Sequence, residues 1–111
     1  MKHEFPESDW KTFSQLRLVS LERFCKRVLD EVPRFSLDTE GSYHERYLEL
    51  FRWLGERNDE LAKAFDDPRR SQMLWQRAAI YAYGLLEPDE FARLAPHTRE
   101  RIQLLAQDAR W

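Results

Sequence analysis

Residues 73–86 read MLWQRAAIYAYGLL, and only Gln76 and Arg77 among them are strongly polar. A helix that is apolar almost all round belongs inside a set of other helices. The run is interrupted by charge and too short to span a bilayer. It sets the expectation for the whole chain: an all-α fold, with a central helix over 68–86. Asp67 followed by Pro68 marks its start, an N-cap and then proline at the first helical position.

Working outward, Pro6, Pro33, Pro68, Pro88 and Pro96 each fall where a helical pattern starts or stops. Upstream, Ser42 with Glu45 is a capping-box pattern and opens a helix over 43–65. Its apolar stripe holds Tyr43, Tyr47, Leu50, Phe51, Leu54, Leu61, Ala62 and Phe65, predicted to face the core. Trp53 lies off that stripe, and Arg57 and Asn58 interrupt it. Residues 34–40 read as a loop. The first helix is predicted over 9–31, capped by Ser8. At 100° per residue, Trp10, Phe13, Leu21, Phe24, Cys25 and Val28 share one face. Leu16 and Val19 fall on the far side. Pro33 should end this helix and push Val32 out of helical geometry.

Downstream, a short helix is predicted over 89–94 and a longer one over 99–110. The latter carries the stripe Ile102, Leu105, Ala106, Ala109. No strand alternation, hairpin turn or internal repeat competes with the helical reading. The expectation is a single domain over 1–111, an irregular orthogonal bundle of four main helices plus one short helix.

Composition narrows the function classes. The 18 basic and 20 acidic residues are interleaved, giving a net charge of −2. Nucleic-acid binders ordinarily carry a basic excess or stripe, so this class is disfavoured. Fourteen of the 18 basic residues are Arg, which pairs bidentately with carboxylates and suits interhelical ion pairs. Cys25 is the single cysteine, which excludes an intrachain disulfide and a Cys-based zinc site. Its place on an apolar face reads as a core thiol in a reducing compartment. Residues 1–6, MKHEFP, lack a signal-peptide run, so a cytoplasmic protein is expected.

Catalytic motifs are absent from the sequence. His3, His44 and His97 are scattered, and His44-Glu45 lacks the second histidine of a zincin helix. Three isolated glycines make no phosphate-cradling loop. Residues 47–62, YLELFRWLGERNDELA, resemble a helix of the small dimeric chorismate mutases, which bind a dicarboxylate with basic side chains from several helices. The helix order and the basic spacing on the first helix depart from that family, and no residue is carried across.

Two constellations remain. Arg57, Asn58, Gln76 and Arg77 are the polar interruptions of the two most apolar helices. They could form a pocket for an anion or small ligand, or a buried network that fixes helix register. Leu16, Val19 and Trp53 lie off the predicted core faces and mark a candidate interface. A further alternative is a helix-turn-helix DNA binder, with Thr98, Arg99, Arg101 and Gln103 opening its last helix and Arg69-Arg70 as phosphate contacts. The favoured expectation is a non-enzymatic interaction or regulatory module. It would need no metal or cofactor, and its partner would be a second copy or another protein.

Overall fold

A computed structural model describes residues 6–66 and 70–108. Every regular element among them is helical: α1 (Glu7–Glu31), α2 (Pro33–Leu37), α3 (Tyr43–Phe65), α4 (Arg70–Ala82), α5 (Pro88–Phe91) and α6 (Pro96–Asp108). The all-α reading holds, with four long helices and two short ones. The predicted start at Asp67 and Pro68, together with Arg69 and Ala109, lies outside the described residues.

The stretch that decides the fold behaves as its composition demands. Gln76, Arg77, Ala78, Ala79 and Ile80 are buried one after another, so this segment of α4 is enclosed on every side, while Trp75 and Ala82 on its flanks are exposed. It packs on α6 and α3, and aromatic side chains of α1 close its remaining flank. Phe13, Phe24, Phe65, Ile80, Leu85, Leu94 and Ile102 form the core around it. The helix stops at Ala82, four residues before the predicted end. Gly84 adopts φ +69°, its N–H bonds to Tyr81 O, and the Leu85 N–H reaches back to Ile80 O. That pair of bonds is the Schellman ending, which needs a left-handed residue that glycine supplies without strain. Tyr83, expected inside, is only half-buried because the helix has already ended.

α1 runs along this core, but with its buried face turned. Asp9, Phe13, Leu16, Ser20 and Phe24 are the buried positions. Two polar residues sit in that line, so hydrophobic periodicity aimed the face about 60° away, toward Cys25. Leu16 is therefore core, at 2% exposure, while Val19 is exposed and Cys25 is half-buried. Pro6, not Ser8, occupies the N-cap position.

Asp9 has a structural task. Its carboxylate accepts the Ala95 N–H at 3.2 Å and the Thr98 hydroxyl, so it caps α6 from the other end of the chain. Arginines on α1 perform the matching task at helix C-termini. Arg17 donates to Phe65 O, Arg23 to Leu85 O at 2.8 Å, and Arg27 to Tyr83 O and Gly84 O at 2.5 and 2.6 Å. The carbonyls that end α3 and α4 are otherwise left over by helix geometry.

The expected loop over 34–40 is helical in its first half, where Pro33–Leu37 form α2. Val32 keeps helical angles, φ −55° and ψ −42°, despite the proline after it. Pro33 occupies the first turn of a new helix, where its missing N–H costs nothing. α2 then lies across α3. Phe35 stacks on Trp53 at 5.2 Å between ring centroids, and Arg46 donates to Phe35 O and Ser36 O. Trp53 is thereby buried, at 8% exposure, instead of standing on the surface.

The molecule measures 58 × 24 × 22 Å, with a radius of gyration of 16.9 Å. A compact domain of this length would have a radius near 13 Å. The excess is an arm, made of α2, the last turn of α1 and the N-terminal half of α3. No residue from Leu29 to Arg52 is buried.

Candidate functional site

The four polar residues do not converge. Arg77 and Gln76 are buried in the body, at 1% and 7% exposure. The Arg77 guanidinium lies 4.3 Å from the Trp10 ring centroid and 4.6 Å from that of Phe13. Burial lowers its pKa to about 10, and the Asp9 carboxylate opposes that shift. Its Nε and Nη2 have no hydrogen-bond partner, so the two aromatic faces and Asp9 carry the charge. This is a buried cation where α1 meets α4.

Arg57 sits elsewhere, on the seam between α1 and α3. Its Nη2 donates to Glu60 Oε1 at 2.9 Å, and its guanidinium lies 5.5 Å from the Trp53 ring. The contacts of Arg57 and Arg77 share no residue. Cavities open on either side of the seam. One, of about 230 Å³, is lined by Phe24, Val28, Trp53, Arg57, Glu60 and Tyr83, with Arg27 and Glu31 at its margin. The Tyr83 hydroxyl donates to Glu60 O at 3.4 Å, and burial, then the Glu60 charge, pushes its pKa up. The other, of about 270 Å³, is an apolar groove lined by Cys25, Leu29, Asn58 and Leu61, with Phe24, Val28 and Arg57 at its floor. Asn58 itself is exposed at the rim of that groove.

Of the residues offered for DNA contact, Arg101 and Gln103 are exposed and Arg99 is half-buried. Thr98 is fully buried and spent on Asp9, so the start of α6 is plugged into the body. The Gln103 side chain reaches the Tyr81 hydroxyl at 3.4 Å. Among the described residues no group of three His, Cys, Asp or Glu could hold a metal ion, and no helix is long and apolar enough to cross a membrane.

What sequence reasoning missed is the surface of the arm. The stripe it assigned to the core faces outward over its N-terminal half. Tyr43 is 86% exposed, Phe51 70% and Tyr47 63%, and Leu48 stands beside them. On α1, Leu29 is 68% exposed across the apolar groove. The signal was present in Trp53, Arg46 and Arg57, which share one flank of the helix. Arginine and tryptophan can bury long apolar stems, so a mixed flank competes with an aliphatic one for the inward side. Comparison with protein-family models, with curated proteins and with solved structures finds no match to this chain.

Proposed function

We propose that this chain is a non-enzymatic interaction module of the cytoplasm, homodimeric, that docks through its arm. The observation that carries the reading is the uncovered row Tyr43, Tyr47, Phe51 with Leu29 beside it. Monomeric proteins rarely leave contiguous apolar patches beyond a few hundred Å² uncovered. Exposed Tyr and Phe in a row are interface anchors, since aromatic side chains supply large contact area at low entropic cost. The interface expected at Leu16, Val19 and Trp53 moves accordingly: two of the three are inside the fold, and the outward aromatic stripe takes their place. Size-exclusion chromatography with light scattering tests the reading. The dimer mass is expected at high micromolar concentration. The double variant Tyr47→Glu, Phe51→Glu should run as a monomer with an unchanged urea midpoint. A monomeric unmodified protein overturns the homodimer.

The cavity at Arg57 favours a second reading, a small-anion site. Its Arg57 Nε is buried without a hydrogen-bond partner. Glu60 already neutralises the guanidinium and the volume is below the usual ligand range, which ranks this reading second. A thermal shift with small dicarboxylates or inorganic phosphate, lost in Arg57→Gln, would promote it.

A further inference from the structure

We infer that the cavity of about 230 Å³ on the seam of α1 and α3 binds a neutral planar ring bearing an amide edge, an aryl carboxamide or a heteroaromatic lactam. The inference is independent of the homodimer. It rests on the second reading above only in taking this cavity for a ligand site, and it puts a different class of ligand there.

Aromatic rings form the walls. Phe24 of α1, Trp53 of α3 and Tyr83, just past the end of α4, line the cavity from three segments of the chain. Phe24 and Trp53 are 6% and 8% exposed, so packing holds both rings in place. The Phe24 and Tyr83 ring centroids lie 6.3 Å apart, with the planes 37° from parallel. Tyr83 is tied at two points: its carbonyl accepts from Arg27 at 2.5 Å, and its hydroxyl donates to Glu60 O at 3.4 Å. A preformed concavity with aromatic walls and a few placed polar groups is the usual form of a small-ligand site. The volume sets the size. An apolar cavity of about 150 Å³ already takes up benzene. A space of about 230 Å³ therefore admits one ring with a short substituent.

The charges set the class. Arg27, Glu31, Arg57 and Glu60 line the cavity, and each already faces an opposite charge or dipole. Arg57 pairs with Glu60 at 2.9 Å, and Glu31 lies 3.9 Å from Arg34. Arg27 donates to the carbonyls of Tyr83 and Gly84, at the negative end of α4. An ion entering here sheds its water and meets no unpaired counter-charge, which disfavours it. A neutral ring is cheap to desolvate and covers apolar wall. The polar groups left over are a matched pair. Among the described residues, only Nη2 of the Arg57 nitrogens is hydrogen-bonded, and Glu60 accepts through Oε1 alone. An amide suits both with one flat edge: its carbonyl oxygen accepts from the guanidinium, and its N–H donates to Glu60 Oε2.

A charge series on one ring tests the class. Benzamide, benzoate and benzylamine are titrated into the full chain at millimolar concentration and followed by heteronuclear NMR. Benzamide should bind tightest, by roughly tenfold over either ion, the effect of one mismatched buried polar group. Its shifts should centre on the Trp53 indole and on the amides of 57 and 60. Glu60→Gln leaves Arg57 without its counter-charge, so benzoate should overtake benzamide in that variant. Val28→Phe fills the cavity from α1 and should abolish binding of all three while the spectrum stays that of a folded chain. Benzoate or benzylamine binding tightest to the unmodified protein overturns the neutral class, as does a Glu60→Gln variant in which benzoate gains nothing. Benzamide shifts that map away from Trp53 and Arg57 overturn the site. If none of the three binds, the inference falls; phosphate or a dicarboxylate binding in their place leaves the anion reading standing, so the two failures are read separately.

Discussion

The body and the arm are built from the same kind of helix and held by different physics. In the body, five consecutive residues from Gln76 to Ile80 are buried; in the arm, from Leu29 to Arg52, none is. Isolated helices are marginal in water, so the body's helices stand on tertiary burial. The arm stands on local devices. The Glu45 N–H donates to Ser42 Oγ at 3.1 Å, the α2 carbonyls accept from Arg46, and Phe35 stacks on Trp53. A region made this way belongs to the low-stability end of a fold, where opening is cheap and surfaces are available for partners.

The comparison breaks first at Ile80, which is fully buried. Ile80→Ala should lower the unfolding free energy by about 2–4 kcal/mol in urea titration, through lost transfer energy and a cavity. A loss under about 0.5 kcal/mol would mean that α4 is not the enclosed element.

Next comes Asp9. Asp9→Ala leaves the Ala95 N–H and the Thr98 hydroxyl without their acceptor and removes the carboxylate nearest Arg77. The expected cost is about 2 kcal/mol. Hydrogen exchange should show α6 loosening first, and Asp9→Asn, which keeps an acceptor oxygen, should cost less.

Phe35→Ala sharpens the contrast from the arm's side. Removing the ring against Trp53 should lower the global unfolding free energy by about 1 kcal/mol or less in urea titration, because the core is untouched. Amides of 43–54 should exchange faster while those of 76–80 keep their protection. Uniform acceleration would merge arm and body into one cooperative unit.

The smallest effect is at the rim of the body. Arg23 holds Glu90 in a two-pronged ion pair, 2.5 and 3.0 Å, and that hydrogen bonding keeps the Glu90 carboxyl below its ordinary value of 4.5. A carboxyl held low in the folded state adds stability above the unfolded value and loses it as pH falls through the folded one. Glu90→Gln should thus be less stable than the unmodified protein at neutral pH, by under about 1 kcal/mol for a partly exposed pair. The difference should begin to shrink below pH 4.5 and vanish once the pH falls beneath the lowered folded value.

Much of the fold was legible because local signals and burial agreed. The span 43–65 was exact, and its Ser42–Glu45 cap is in place. The enclosed segment 76–80 followed from composition alone. Inside-out assignment failed where a polar side chain has a buried task. Asp9 and Ser20 hid the true inward line of α1, since a residue that caps α6 from 86 positions away looks like surface charge in sequence. On α3 the aliphatic stripe outranked Trp53, Arg46 and Arg57 by hydropathy, yet the fold buries the Trp53 side against α2. The candidate polar quartet split for the same reason: Arg57 and Arg77 look equivalent as interruptions of apolar helices, and only topology sends one to a seam and the other between two rings.

The arginine clamps on α1 have an evolutionary consequence. Arg17, Arg23 and Arg27 grip main-chain carbonyls at positions 65, 83, 84 and 85, and a carbonyl is present whichever side chain that position carries. Substitutions at the gripped positions leave the acceptor intact, whereas loss of an arginine removes the donor. The clamp itself therefore places selection on the arginines, while the gripped positions answer to other constraints: Phe65 and Leu85 fill the core and Gly84 holds a left-handed turn. Of the four, the fold leaves only the half-buried position 83 to vary, and α1 keeps its seat when it does.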